Sequence, residues 1–148
     1  MIPETLNSST DKFPVYTSIP AGFPCPALDY MQERLSLDEL LINHPASTFF
    51  IKVEGASMIN AFIPSGAYLL IDRSLDPADG DIVVAVVNSE FTVKILKKEN
   101  GGVTLLPANP NYNPLRITEE MNFSVWGVVS RIIIDPRTVK YDSPGRLQ

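Results

Sequence analysis

One cysteine and one histidine stand in 148 residues, and that scarcity closes several routes. Cys25 has no second cysteine to pair with, so no internal disulfide forms, which suits a reducing compartment. It lies between Pro24 and Pro26 in a stiff extended stretch with no local cation to depress its pKa, and so makes a poor nucleophile. With His44 as the only imidazole, neither a metal site nor a bound cofactor is expected. His44 precedes Pro45 at the end of a short helical pattern, where helix-end or surface packing is its expected role. Long hydrophobic runs are missing too. The longest, such as Ile82 to Val87, are strand-sized, far short of the roughly 20 residues that span a bilayer. The start Met1-Ile2-Pro3-Glu4 lacks the basic segment and apolar core of a secretory signal, so a cytoplasmic protein is expected. Basic charge is also in deficit. The net charge is −5, Lys97-Lys98 is too small a patch to reverse it, and no arginine-rich arm or helix-turn-helix pattern appears. Direct nucleic-acid binding is therefore not expected.

What remains is an ordinary soluble composition, 45% hydrophobic and 20% charged, in a chain long enough for one core. It divides into arm, body and tail. Residues 1–26 are rich in Ser, Thr and Pro, as in Asn7-Ser8-Ser9-Thr10, which predicts an extended, flexible arm. Ser36-Leu37-Asp38-Glu39 has the spacing of a capping box and predicts one short helix through Leu40 and Leu41. Strands are predicted over Thr48–Val53, Tyr68–Ile71, Asp81–Val87, Glu90–Leu96, Val103–Leu106 and Phe123–Ile134. Asn88-Ser89 supplies a hairpin-sized gap, and Asp79-Gly80 and Asn100-Gly101-Gly102 tolerate positive φ. The expected fold is mostly β: a single domain of twisted antiparallel strands over 27–135, followed by a disordered tail over 136–148. Pro107 to Pro114 reads as a rigid surface turn with no catalytic role. Trp126 reads as a core or dimer-contact aromatic.

Two positions carry possible chemistry. Ser57 follows a short apolar strand and the small residues Gly55-Ala56, where a serine hydroxyl ordinarily satisfies a turn or cap. Lys94 sits between Val93 and Ile95 in an alternating strand, either facing solvent or aimed at something particular. A serine–lysine pair in the SxxK arrangement is excluded, because Ser57-Met58-Ile59-Asn60 has no lysine three residues on.

From Gly22 to Val129 the chain carries an ordered series of segments: Ala21-Gly22-Phe23-Pro24, Asp29-Tyr30, Leu40-Leu41-Ile42 with His44-Pro45-Ala46-Ser47, Gly55-Ala56-Ser57-Met58-Ile59, Gly80-Asp81-Ile82-Val83, Glu90-Phe91-Thr92-Val93-Lys94 and Gly127-Val128-Val129. Together they resemble the LexA-type self-cleaving serine peptidases, and within them the UmuD-like proteins of SOS mutagenesis. Ser57 and Lys94 fall 37 residues apart in that series. The 21 residues before Gly22 are too few for the DNA-binding domain of LexA-type repressors, so a member without that domain is expected.

The resemblance implies Ser57 as nucleophile, a neutral Lys94 as its base, and the backbone N–H groups of Ala56 and Ser57 as oxyanion donors. Lysine, with an ordinary pKa near 10.4, serves as a base only if burial lowers that value by roughly 3 units. The scissile bond implied is Ala21-Gly22. UmuD has Cys-Gly there, whereas LexA cleaves Ala-Gly. Small residues admit a close approach to the carbonyl, and Pro20 and Pro24 favour extended presentation. Chain length does not limit reach to Ser57, since an extended chain covers about 3.3–3.6 Å per residue. Also implied are a homodimer, cleavage stimulated by a RecA filament on single-stranded DNA, and a shortened product that joins a UmuC-like translesion polymerase. Two other readings keep the same body: a non-cleaving dimeric adaptor of the polymerase, and a stand-alone peptidase acting in trans.

Overall fold

The structure is a computed structural model that describes residues 11–16, 22 and 31–139. The expectations placed on Ala21 and Cys25, and on most of the arm and tail, lie outside the described residues. The chain divides into two compact units, Met1–Asn43 and His44–Gln148.

In the first unit, strand β1 (Phe13–Tyr16) pairs antiparallel with β2 (Met31–Leu35), Phe13 opposite Leu35. Neither strand is predicted from the sequence. Each is short, and β1 contains Pro14, so local propensity says little until a partner strand is present. Helix α1 (Leu37–Leu41) begins where the capping pattern places it. Ser36 is buried and its Oγ accepts the Glu39 N–H at 3.1 Å, satisfying one of the free donors of the first turn.

The second unit is built on one antiparallel sheet of seven strands. In chain order these are β3 (Thr48–Lys52), β4 (Tyr68–Asp72), β5 (Ile82–Val87), β6 (Glu90–Glu99), β7 (Gly102–Leu106), β8 (Leu115–Arg116) and β9 (Phe123–Ile133). Their order across the sheet is β3-β4-β9-β5-β6-β7-β8. The six predicted strands are all present. β6 runs past its predicted end to Glu99 because Lys97 and Lys98 pair with Thr104 and Val103 of β7, and that ladder outweighs the weak strand propensity of lysine. Asn88 and Ser89 both adopt positive φ, 48° and 69°, as a two-residue primed hairpin requires.

The central strands are buried on both faces, which is why β4 and β5 read as continuous apolar runs rather than alternating ones. Along β5, Val84 belongs to one cluster with Val53, Met58, Ile63, Leu69 and Ile71. Val83 and Ala85, pointing the other way, join Leu96, Leu105 and Val128. Each fully buried Leu, Ile or Val stabilises the fold by about 1.5–3 kcal/mol.

Strand β9 threads between β4 and β5 by means of two bulges. Opposite β5 the register passes from Gly127 to Val125, leaving Trp126 unpaired, and opposite β4 it passes from Arg131 to Val129, leaving Ser130 unpaired. Both freed residues find other partners. Arg73 Nε donates to Trp126 O at 2.8 Å, and Ser130 Oγ donates to Leu70 O at 3.2 Å. Gly127 beside the first bulge has no room for a side chain: a Cβ there would stand 2.5 Å from Ile71 Cγ2. Gly127→Ala is expected to destabilise the protein by about 1–3 kcal/mol, the usual range for overpacking a core. Urea unfolding with an unchanged m-value checks it, and a variant as stable as the parent would show that the sheet yields there.

Candidate active site

The turn after β3 carries Ser57. Gly55 enters it at φ 93°, a conformation that a residue with a Cβ adopts only under strain. No atom lies within 4 Å of where a Cβ would stand, so glycine is required here by conformation rather than by crowding. A 3₁₀ turn, Ile59–Ala61, follows Ser57. Met58 beneath it is buried in the first cluster, fixing the turn to the sheet.

Lys94 comes from the middle of β6, opposite Val83 of β5. Of the two sequence readings left open for this lysine, the structure takes the second: its ammonium is aimed at a particular partner. Lys94 Nζ donates to Ser57 Oγ at 3.1 Å, to Thr92 Oγ1 at 2.9 Å and to Val93 O at 3.0 Å. The three acceptors match the three N–H bonds of an ammonium. No carboxylate is paired with it among the described residues. Burial without a counter-ion pushes the Lys94 ammonium below its ordinary value of 10.5, because the charged form loses hydration that three neutral acceptors replace only in part.

Both side chains border a cleft of about 220 Å³ whose walls include Ile51, Val53, Val84, Phe91 and Val93. Lys52, Glu54, Ser57, Thr92 and Lys94 share its lining with these apolar side chains, so the cleft offers polar and apolar surface in comparable measure. Among the described residues, the backbone N–H groups of Ala56 and Ser57 meet no acceptor.

Thr92 is a contribution that the sequence reading did not single out, and the loop after β7 was read only as a rigid surface turn with no catalytic role. Thr92 stands two residues before Lys94 in one strand, and so on the same face, a signal that could have marked it. The loop gave no such signal, because its role depends on folding back across the chain. The segment read as a surface turn is where the Ser57 turn is anchored. Ala108 N–H donates to Ser57 O, Asn60 N–H donates to Ala108 O, and Asn109 Nδ2 donates to Ala56 O, each at 2.8 Å.

His44, expected in helix-end or surface packing, is exposed and pairs with a buried carboxylate. Its Nδ1 lies 2.6 Å from Asp72 Oδ2, and Ser47 and Ser74 hydroxyls donate to Asp72 Oδ1. The Ser74 hydroxyl, then His44, holds the Asp72 carboxyl well below the usual carboxylate range. Trp126 is half-buried, with Phe49 at 5.2 Å, Phe91 at 6.0 Å and the Arg73 guanidinium 4.6 Å over its ring. Among the described residues no cluster of side chains could hold a metal ion, and no helix is long and apolar enough to cross a membrane.

A half-buried serine held by an unpaired lysine at the edge of a β-sheet cleft is an arrangement found in hydrolytic enzymes, and the comparison with known proteins meets it there. The chain belongs to the Peptidase S24-like family, which it matches over residues 14–130, in agreement with the LexA-type resemblance read from the sequence. It is similar to Protein SamA of Salmonella typhimurium, with 41% identity over 126 residues, covering 84% of this chain and 87% of that one. Protein MucA of Escherichia coli is 40% identical over 131 residues, 86% of this chain and 88% of its own. The LexA repressor of Desulfatibacillum aliphaticivorans is 36% identical over 124 residues, 82% of this chain and 61% of the repressor.

Proposed function

We propose that this protein is a UmuD-like factor of SOS mutagenesis that cuts its own chain between Ala21 and Gly22. The observation that carries the proposal is the 3.1 Å contact between Lys94 Nζ and Ser57 Oγ. Once Lys94 is neutral it has two N–H bonds and a lone pair. Thr92 Oγ1 and Val93 O, at 2.9 and 3.0 Å, are placed to take the two N–H bonds, which leaves the lone pair for the Ser57 hydroxyl proton.

The steps use the chain's own groups and one water. Ser57 Oγ attacks the Ala21 carbonyl carbon as its proton passes to Lys94 Nζ, and the carbonyl oxygen becomes an oxyanion facing the Ser57 and Ala56 N–H groups. Collapse breaks the Ala21–Gly22 bond, and the proton held by Lys94 goes to the departing Gly22 nitrogen. The acyl ester on Ser57 is then hydrolysed by a water that gives its proton to the same amine, which returns it to Ser57 Oγ. No metal or cofactor takes part.

In this reading a RecA filament on single-stranded DNA favours the cleavable arrangement of the arm by shifting a population already present. The shortened homodimer then serves a UmuC-like translesion polymerase in the cytoplasm. The test is the intact mass of the purified chain, incubated alone at alkaline pH and, separately, at neutral pH with RecA, nucleotide and single-stranded DNA. A product beginning at Gly22 is expected in both. An uncut chain in both, with the fold intact, would turn the assignment to the non-cleaving adaptor.

A further inference from the structure

The peptide group joining Ala56 to Ser57 is gripped from one side only. Ala56 O accepts the Ile59 N–H at 3.3 Å within the turn and, from a position 53 residues away, Asn109 Nδ2 at the shorter 2.8 Å. A trans peptide is planar, and its C=O and N–H point in opposite directions. Whatever fixes the Ala56 carbonyl therefore also fixes the direction of the Ser57 N–H, which meets no acceptor among the described residues. A donor on the carbonyl also draws electron density through the amide and strengthens the N–H as a donor in turn.

Asn109 is itself held in one orientation. Its Oδ1 accepts the Asn111 N–H at 3.0 Å, and since a backbone N–H can face only an acceptor, the amide nitrogen is left facing Ala56 O. The carbonyl of Asn109 accepts the Tyr112 N–H at 3.1 Å. The two acceptor contacts build the loop's own turns. The Nδ2 contact has no part in those turns and reaches only the nucleophile's segment. The next peptide plane is held in the same way by Ala108 N–H on Ser57 O, at 2.8 Å.

From this geometry we infer that Asn109 is a positioning residue, which aims and polarises the Ser57 N–H as the oxyanion donor of the cleavage reaction. The inference rests on Ser57 being the self-cleaving nucleophile. It assigns to the loop after β7 a share in rate as well as in shape. A missing oxyanion donor typically costs about 10²–10³ in kcat. A donor still present but misaimed and less polarised is expected to cost about 10–100-fold.

Asn109→Asp is the discriminating variant, because it keeps an oxygen for Asn111 N–H while removing the donor to Ala56 O. Asn109→Ala removes both, and a melting curve for each shows whether the fold holds. Three readouts are compared: the alkaline plateau of the self-cleavage rate, the midpoint of its rise with pH, and alkylation of a Ser57→Cys background by iodoacetamide. In that alkylation a C–S bond forms as C–I breaks at a saturated carbon, and no oxyanion develops. The expected result is a plateau lowered about 10–100-fold in both variants, with the midpoint and the alkylation rate unchanged. Asn109→Asp cleaving like the parent would reduce Asn109 to a loop former and overturn the inference. So would a shifted midpoint or slowed alkylation, since Asn109 would then be placing the whole turn rather than the donor. Cleavage that persists in Ser57→Ala is a separate failure, which removes the nucleophile assignment itself and this inference with it.

Discussion

Ser57→Ala is expected to leave a folded protein that no longer cuts itself, with the rate down by about 10⁴-fold or more, as when the nucleophile of a serine hydrolase is removed. The fold is expected to be indifferent to the change. Ser57 is half-buried, its hydroxyl meets only Lys94 Nζ, and its backbone contacts with Ala108 are kept, so a stability change within about 0.5 kcal/mol is expected. Lys94→Ala is expected to be equally inactive, because residues that act as one unit fail together rather than additively.

Mixing the two inactive variants sharpens this. Ser57 and Lys94 meet within a single chain, so neither variant holds a complete dyad. An equimolar mixture of Ser57→Ala and Lys94→Ala is expected to stay uncut. Adding intact protein to a tagged Ser57→Ala chain asks a different question, whether a complete dyad cuts another chain's arm. Its outcome decides between self-directed cleavage and a peptidase acting in trans. Product from the mixed variants, read by mass, would mean that the working dyad is shared between chains and that the contact seen within one chain is not the reacting one.

How much of this was legible beforehand depended on how local the signal was. Strands β4 and β5 announced themselves as apolar runs, and the α1 cap as a four-residue pattern. Both are decided by neighbours in sequence. β9 was legible as a strand but not as the strand between β4 and β5, and its bulges at Trp126 and Ser130 follow from pairing with two partners at once. In the candidate site, Ser57 and Lys94 stood out through the ordered motifs of the LexA-type resemblance rather than through composition. Thr92 was readable from strand periodicity. Asn109 was not, since its bond to Ala56 spans 53 residues and no periodicity reports a loop folding back. Asp72 was hidden for a related reason: a carboxylate at the end of an apolar strand reads as an exposed terminus until His44, Ser47 and Ser74 close over it.

In the proposed mechanism the pH dependence of cleavage follows from the state of Lys94, and so does a cost in stability. Burial lowers the Lys94 pKa from 10.5, and only the neutral amine accepts the Ser57 proton. The rate without RecA is therefore expected to climb about tenfold per pH unit while the ammonium dominates, then to level off below pH 10.5. A rate flat from neutral to alkaline pH would exclude lysine as the base. Lys94→Arg, which keeps its charge at every accessible pH, is expected to be inactive throughout. The same shift has a fixed sign in stability. A lysine whose folded pKa lies below its unfolded one binds fewer protons folded than unfolded between the two values, so unfolding free energy rises with pH across that window. Below that window the buried ammonium is a standing cost. Lys94→Met, which fills similar space without charge, is expected to abolish cleavage and yet stabilise the protein by about 0.5–2 kcal/mol, the range of a favourable single substitution. Its advantage over the Ser57→Ala protein, a parent that cannot cut itself during the measurement, is expected to shrink as pH rises toward 10.5 and to level off above it, where the reference lysine becomes neutral in both states. Denaturant titrations of the two at neutral and alkaline pH read this directly. A Lys94→Met chain less stable than that reference at neutral pH would show that the hydrogen bonds to Ser57, Thr92 and Val93 outweigh the lost hydration, and would remove the physical basis for a neutral lysine at the site.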